Sequence, residues 1–446
     1  MRSILQLMLS FFALVLFSNT LFAQDAPTSF KFDFGTGTAP KGYIKITPQD
    51  TMDSKTPYGF DFESHVTAVT ADAKKALTGD YITSDKPFYF SVNVPEGNYK
   101  VTVTLGNLNG TSTTTVRAES RRLMLEKAVT GNGETKKYSF IVNIRKPAIS
   151  TGGKVKLNGR EITKYDWANK LSLEFNDTQP CVDAVEIEKV EDQVTVFLAG
   201  NSTVVDQDEE PWCSWGQMIP RFFKPGVAIA DHAESGLALS SFLSQNRLDK
   251  VLSLAKPGDH LFIEFGHNDQ KQKGPNDGAY KSYTERFKLY IEKAKEKGMI
   301  PVVVTSTSRR SFGKTDTTKI ENNLGDYPEA ARKVAKDMNV ALIDLNEMTH
   351  KFYESMGPEA SKKAFVWFKA NTFPHQSADL HDDTHFNNYG AYELAKCVLE
   401  GIKSANLGIA KYIIDDPAFD PSRPDPFDTF SLPHSPKWTT DKPAGN

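Results

Sequence analysis

Val194-Thr195-Val196-Phe197-Leu198-Ala199-Gly200-Asn201-Ser202-Thr203 (VTVFLAGNST) is the stretch on which the fold turns. Its first seven residues are short, β-branched and almost wholly apolar, the pattern of a strand buried on both faces. Similar runs recur downstream: VAIAD (227–231), DHLFIEFG (259–266), IPVVVTS (300–306) and ALIDL (341–345). Between them lie stretches with helical spacing: FLSQNRLDKVLSLA (242–255), YTERFKLYIEKAKEKG (283–298), YPEAARKVAKDMNV (327–340) and NNYGAYELAKCVLEGIKSA (387–405). Strands alternating with helices predict an α/β fold over 191–414, a parallel sheet covered on both faces with right-handed crossovers.

Working outward, the chain changes character before Val190. FKFDFG (30–35), FYFSVNV (88–94), NYKVTVTLG (98–106), KYSFIVNI (137–144), KLSLEF (170–175) and DAVEIEKV (183–190) alternate apolar and polar residues between turn formers. This predicts an all-β sandwich or jelly roll over 24–190. At the other end, PAFDPSRPDPF (417–427) excludes a regular helix or central strand. Residues 415–446 are expected to form a surface-draped arm or a loose tail. At the start, Arg2, the apolar run Ile4–Phe17 and the small residue Ala23 resemble a signal peptide over 1–23. The protein is therefore expected to be exported, to the periplasm or beyond. No other segment is long enough to cross a bilayer, so no membrane contact is expected after cleavage.

Composition narrows the function classes. Of 446 residues, 39% are hydrophobic, enough to fill two cores, and the formal net charge of -3 offers no basic field for nucleic acid. The three cysteines, Cys181, Cys213 and Cys397, exclude a disulfide scaffold. Cys397 falls in an apolar helical pattern, and a Cys181–Cys213 bridge stays open.

In open parallel sheets, functional groups gather beyond the carboxyl ends of the strands. That rule selects four segments. Gly200-Asn201-Ser202-Thr203 can turn sharply out of a strand and present the Ser202 hydroxyl as a nucleophile. Ser235-Gly236-Leu237 follows VAIAD, and a glycine lets a backbone N–H approach a substrate. Gly266-His267-Asn268-Asp269 places a neutral amide donor at a strand end, suited to an oxyanion. Asp382-Asp383-Thr384-His385 stands before the last helix, with Asp382 and His385 spaced to share one side of a helical turn. There the carboxylate can fix the imidazole tautomer, leaving the other nitrogen to take a serine proton. Each segment alone is also what an ordinary turn or helix cap would show; their order and common placement favour chemistry.

These blocks resemble those of the SGNH/GDSL hydrolases. GNST matches the nucleophile block with Asn201 in place of an aspartate, Gly236 the second block, GHND the third, and Asp382 with His385 the last. The likeness spans about 193–405. GNSTV, AESGLALSSF (233–242), GHNDQ and DDTHFNNYGA (382–391) are most similar to rhamnogalacturonan acetylesterases. The resemblance implies a three-layer αβα sandwich and a serine esterase that removes acetyl groups from pectic polysaccharide. It implies Ser202, Asp382 and His385 as catalytic residues, and an oxyanion hole from the N–H groups of Ser202 and Gly236 with the Asn268 amide. It implies no metal or organic cofactor. Asp231 also departs from the pattern, standing where many relatives carry asparagine.

Arg309 and Arg310, after strand 300–306, are candidates to pair with uronate carboxylates, and Trp212 and Trp215 to stack on sugar rings. A solvated loop and core packing are the plain alternatives. His267, His381 and His385 could suggest a metal cluster, but the carboxylate–histidine pair already explains their spacing. Asn201-Ser202-Thr203 is a formal glycosylation sequon, and Asn201 is expected to be unmodified because a glycan would block Ser202. The N-terminal region resembles galactose-binding-like domains, expected to bind glycan or to shape the cleft. Competing functional readings are an esterase for xylan, lipid or small acyl esters, and a glycan-binding protein on a silent scaffold.

Overall fold

The computed structural model describes residues 27–436 except 71, 73, 375 and 415–417, with no account of the Thr163 side chain. The expected signal peptide, His375 and the last ten residues lie outside the described residues.

Alternating apolar residues build the first unit. Its strands are β1 (Ser29–Phe34), β2 (Ile44–Ile46), β3 (Tyr58–Asp61), β4 (Thr67–Thr70), β5 (Asp80–Thr83), β6 (Phe88–Asn93), β7 (Gly97–Gly106), β8 (Ser112–Ala118), β9 (Arg122–Thr130), β10 (Thr135–Ile144), β11 (Lys170–Asn176) and β12 (Cys181–Val190). One sheet runs β10-β7-β12-β1-β2, with β5 joining β12 and β4 joining β5; the other runs β3-β6-β11-β8-β9. Their inner faces share an aromatic core that includes Phe32, Phe34, Phe60, Phe88, Phe90 and Phe175. Phe32 and Phe34 meet Phe90 edge-on at 5.0 and 4.9 Å between ring centroids, a favoured aromatic geometry.

The second unit is a three-layer αβα sandwich. A wholly parallel sheet is ordered β14-β13-β15-β16-β17, from β13 (Val194–Ala199), β14 (Val227–Asp231), β15 (His260–Phe265), β16 (Ile300–Thr305) and β17 (Ala341–Ile343). The pleat of β13 sends Val196 and Leu198 into one core and Phe197 and Ala199 into the other. The first core is covered by α1 (Trp215–Met218), α6 (Leu345–Ala360) and α7 (Asn388–Ser404), the second by α2 (Leu239–Ser244), α3 (Arg247–Leu254), α4 (Thr284–Glu296) and α5 (Tyr327–Asp337). A hairpin of β18 (Phe365–Phe368) and β19 (Leu380–Phe386) leads into α7. Strand order reverses at β13, so the crevice beyond its carboxyl end is the topological switch point where such sheets bind ligands.

Three expectations need correction. The helix expected over 242–255 is two helices, broken at Asn246, whose φ of +62° asparagine tolerates; its amide also donates to Lys154 O at 3.0 Å. All three cysteines are free and buried, so Cys181 and Cys213 are not bridged. Residues Asp382–His385 lie on β19 and not on a helical turn.

The two units are joined by buried charge. Arg122 meets Asp206 at 2.7 Å, Arg121 meets Glu210 at 2.6 Å and Lys164 meets Glu234 at 3.0 Å, every side chain at most 6% exposed. The C-terminal residues also tie them: Tyr389 donates to Asp425 O at 2.8 Å, and Ser435 to Glu174 at 2.7 Å. The described part of the arm is thus draped over both units. No helix among the described residues is long and apolar enough to cross a membrane.

Candidate active site

β13 ends at Ala199, and the chain turns immediately. Val204 N and Val205 N both donate to Asn201 O at 3.0 Å, and Thr203 N donates to Asn201 Oδ1 at 3.1 Å. This one-turn structure lifts Ser202 to the surface of the crevice, 9% exposed, while Asn201 and Thr203 are fully buried. Of the Asn201 amide, the carbonyl accepts while Nδ2 has no hydrogen-bond partner among the described residues. The asparagine therefore supplies the acceptor that an aspartate would supply. Its burial also leaves no room for a glycan.

Ser202 Oγ lies 2.8 Å from His385 Nε2, and His385 Nδ1 lies 2.6 Å from Asp382 Oδ2. The Asp382 carboxylate makes Nδ1 the protonated nitrogen, so Nε2 is left as acceptor for the serine proton. The second Asp382 oxygen accepts from Thr384 N at 2.8 Å and His385 N at 3.0 Å. Burial raises the Asp382 pKa, but these hydrogen bonds and the imidazole outweigh it and hold the carboxyl below its usual value. The bonds form where the β18–β19 register shifts between Phe365 and Val366, which lets Asp382 fold back on its own strand. Helix α7 fixes the exit: Asn387 Oδ1 accepts from Gly390 N at 3.1 Å, and its Nδ2 donates to Lys363 O and Phe365 O.

The expected oxyanion donors Gly236 and Asn268 lie in the loops that follow β14 and β15. Gly236 has φ +84°, a backbone conformation that favours glycine. Asn268 Nδ2 donates to Leu237 O at 3.0 Å, joining the third block to the second. Asp269, pushed up to about 6 by burial, accepts from Leu239 N and anchors the same loop to α2. Asp231 is fully buried, accepts from Ala233 N at 2.9 Å, and has its pKa driven well up by burial and by Asp206. As a neutral acid it offers the carbonyl acceptor that an asparagine would offer.

The other candidates separate. Arg309 lies half-buried beside the third block; with the Gln270 amide oriented to satisfy both ends, its carbonyl accepts from both terminal nitrogens of Arg309 at 2.9 and 3.0 Å. Burial lowers the Arg309 pKa, and among the described residues no carboxylate pairs with it. Arg310 is instead held within the site wall, donating to Asp383 and Pro358 O at 2.7 Å and lying over Trp367. Trp215 is 1% exposed and donates to Glu264 at 2.6 Å. It is a core residue and not a sugar platform. Trp212 remains half-buried at the surface, its carbonyl held by Arg121 at 2.9 Å. His267 is buried, pushed down to about 3 by burial, and its Nε2 donates to Thr307 O at 2.7 Å. The His381 ring lies tilted against Trp367, with centroids 4.6 Å apart. Among the described residues no group of three or more His, Cys, Asp or Glu could hold a metal.

Several supports went unread in the sequence. Glu264 lies fully buried behind the nucleophile, 2.7 Å from Thr203 Oγ1, and burial pushes it up to about 7. Its signal was a lone acid inside the apolar run HLFIEF. Gln207 donates to Ser202 O at 2.9 Å, while Arg121 holds Gln207 O at 3.2 Å. The nucleophile loop is therefore braced from behind by the first unit.

Residues 30–157 match the galactose-binding-like domain of β-agarase/YxiM-type esterases, and 198–391 match the GDSL-like lipase/acylhydrolase family. The chain is similar to rhamnogalacturonan acetylesterase RhgT of Bacillus subtilis, 41% identical over 50% of this chain and 94% of that protein. This chain belongs to the GDSL-like (SGNH) hydrolase family. It is also similar to the probable rhamnogalacturonan acetylesterase YesY of Bacillus subtilis (32% identity, 50% of this chain, 98% of the relative). The uncharacterized esterase YxiM of the same organism is 27% identical over 85% of this chain and 92% of its own length. As a GDSL-like hydrolase with an intact Ser–His–Asp arrangement, the protein is a carboxylic ester hydrolase.

Proposed function

We propose that this esterase removes O-acetyl groups from an acidic pectic polysaccharide of the rhamnogalacturonan type, through an acetyl-enzyme on Ser202. The observation that carries the mechanism is the 2.8 Å contact between Ser202 Oγ and His385 Nε2, with Asp382 2.6 Å behind. Ser202 Oγ attacks the ester carbonyl and its proton passes to His385 Nε2. The N–H groups of Ser202 and Gly236 and the Asn268 amide hold the oxyanion. Asp382 stabilises the imidazolium, which protonates the departing sugar oxygen. Water, deprotonated by His385, then attacks the acetyl-enzyme and releases acetate.

The substrate class is supported by two observations. One relative that this chain covers almost fully is named a rhamnogalacturonan acetylesterase, and a second is named a probable one. Arg309 presents a half-buried guanidinium that no carboxylate among the described residues pairs with, suited to a uronate. The triad also stands open, with the His385 and Asp382 side chains 31% and 29% exposed. That suits a polymer better than a long acyl chain, which calls for an enclosed apolar channel. The expected export signal would bring such an enzyme to polysaccharide outside the cytoplasm. The test is acetate release from acetylated rhamnogalacturonan, acetylated xylan and a long-chain ester, with wild type and Ser202→Ala. Fastest release from the pectic substrate, abolished in Ser202→Ala, is expected. Preference for xylan or the long-chain ester would discard the pectic assignment.

A further inference from the structure

We propose that two surface cations, Arg160 and Lys271, act as positioning residues that polarise the amides of the oxyanion hole. The proposal rests on the reading of Ser202 as nucleophile. Arg160 comes from the excursion between β10 and β11, and so from the first unit. It donates from a terminal nitrogen to Ser235 O at 2.6 Å. The N–H of that same peptide belongs to Gly236, one of the expected oxyanion donors. Lys271, just after the third block, donates to Asn268 Oδ1 at 2.9 Å. The NH₂ of that same amide is another expected donor. In both cases a full positive charge sits on the carbonyl end of an amide whose N–H end is the donor.

An amide carries its charge separation by resonance. A cation on the oxygen favours the form with positive nitrogen, makes the N–H more polar and fixes the amide plane. The geometry is held from several sides. Arg160 Nε is paired with Glu234 at 3.0 Å, and Glu234 also accepts from Ser235 N at 2.7 Å. A Cβ on Gly236 would lie 3.6 Å from the Arg160 terminal nitrogen, so the guanidinium rests against the glycine itself. Asn268 Nδ2 reaches Leu237 O, the next residue along, which makes the two polarised amides neighbours. Both cations are solvent-exposed, the Arg160 side chain at 53%, so neither is needed to fill a core. A donor made stronger matters most when the ester oxygen becomes anionic, which places the effect on kcat and not on KM.

The experiment compares Arg160→Ala, Lys271→Ala and the double variant with the charge-keeping Arg160→Lys and Lys271→Arg. Substrates are a small neutral acetyl ester and acetylated galacturonan, and a boronic acid serves as inhibitor because its adduct on Ser202 is anionic. The alanine variants should each lose about tenfold in kcat on both substrates, less than deleting a whole oxyanion donor, with KM within about twofold. The boronate Ki should rise by the same factor, the melting temperature should hold, and the charge-keeping variants should recover most of the loss. Unchanged kcat overturns the proposal. So does a KM increase confined to the galacturonan, which would make these cations substrate-carboxylate binders, or lysine and arginine replacements as poor as alanine. Turnover retained in Ser202→Ala would fell the underlying reading, and this inference with it. Turnover lost in Ser202→Ala but kept in the Arg160 and Lys271 variants fells this inference alone.

Discussion

Glu264 shows how one residue behind a nucleophile links chemistry to stability. Thr203 Oγ1 is 2.7 Å from Glu264 and 3.0 Å from Asn201 Oδ1, and one hydroxyl proton cannot serve both acceptors. A protonated Glu264 resolves this by donating to Thr203, consistent with a pKa near 7. Because burial raises the folded value above the unfolded one, its stabilising contribution is full below about pH 4.5 and lost as pH rises through about 7. Denaturation at pH 5 and pH 8 should show wild type losing up to about 3 kcal/mol relative to Glu264→Gln. A constant difference would contradict the protonated acid. Asn201→Asp keeps the one acceptor the site uses, so kcat should stay within about threefold of wild type. The strand-end placement of Ser202, Gly236 and Asn268 and the pairing of Asp382 with His385 were legible from the strand pattern and the family likeness. Glu264 was not, because its contact to Thr203 joins segments 61 residues apart, and Gln207 was not, because nothing in its type marks a brace for the Ser202 carbonyl.

The elements that carry the base were harder to read. LHDDTHF has no apolar alternation, so β19 did not announce itself as a strand, and its pairing with β18 depends on Phe365 and Phe386 packing at 4.9 Å. Helix α7 presses against the turn before β18: a Cβ on Gly390 would collide with Ala364 O. Gly390→Ala should cost about 1–3 kcal/mol, as overpacking does, and lower kcat by displacing β19 and His385. Denaturant titration beside steady-state kinetics reads both; full stability would show that α7 can shift freely. The buried α/β strands were legible from their apolar runs. In the sandwich β2–β5, β8 and β9 were missed, being short or rich in Thr, Arg and Lys that the fold buries or pairs only after both sheets assemble.

At the scale of the whole molecule, the first unit is part of the catalytic machinery's support. Arg121, Arg122 and Lys164 cross the junction to Glu210, Asp206 and Glu234, all within or beside the nucleophile and oxyanion loops. Arg122→Ala removes the 2.7 Å pair to Asp206 and leaves that buried carboxylate only the longer contact to Arg145 at 3.7 Å, so it should cost about 2–4 kcal/mol. An equilibrium unfolding curve matching wild type would refute that coupling. That the first unit could shape the cleft was expected, but the charged pairs that join the units were not legible, because each joins residues far apart in the chain.

The central claim, that Ser202 forms an acyl-enzyme with His385 as its base, is tested most directly by acid quench during turnover of an activated acetyl ester, followed by peptide mass measurement. An acetyl group on the peptide bearing Ser202, absent from Ser202→Ala together with turnover, is the predicted result. An unlabelled Ser202 peptide, with Ser202→Ala releasing acetate at the wild-type rate, would contradict it.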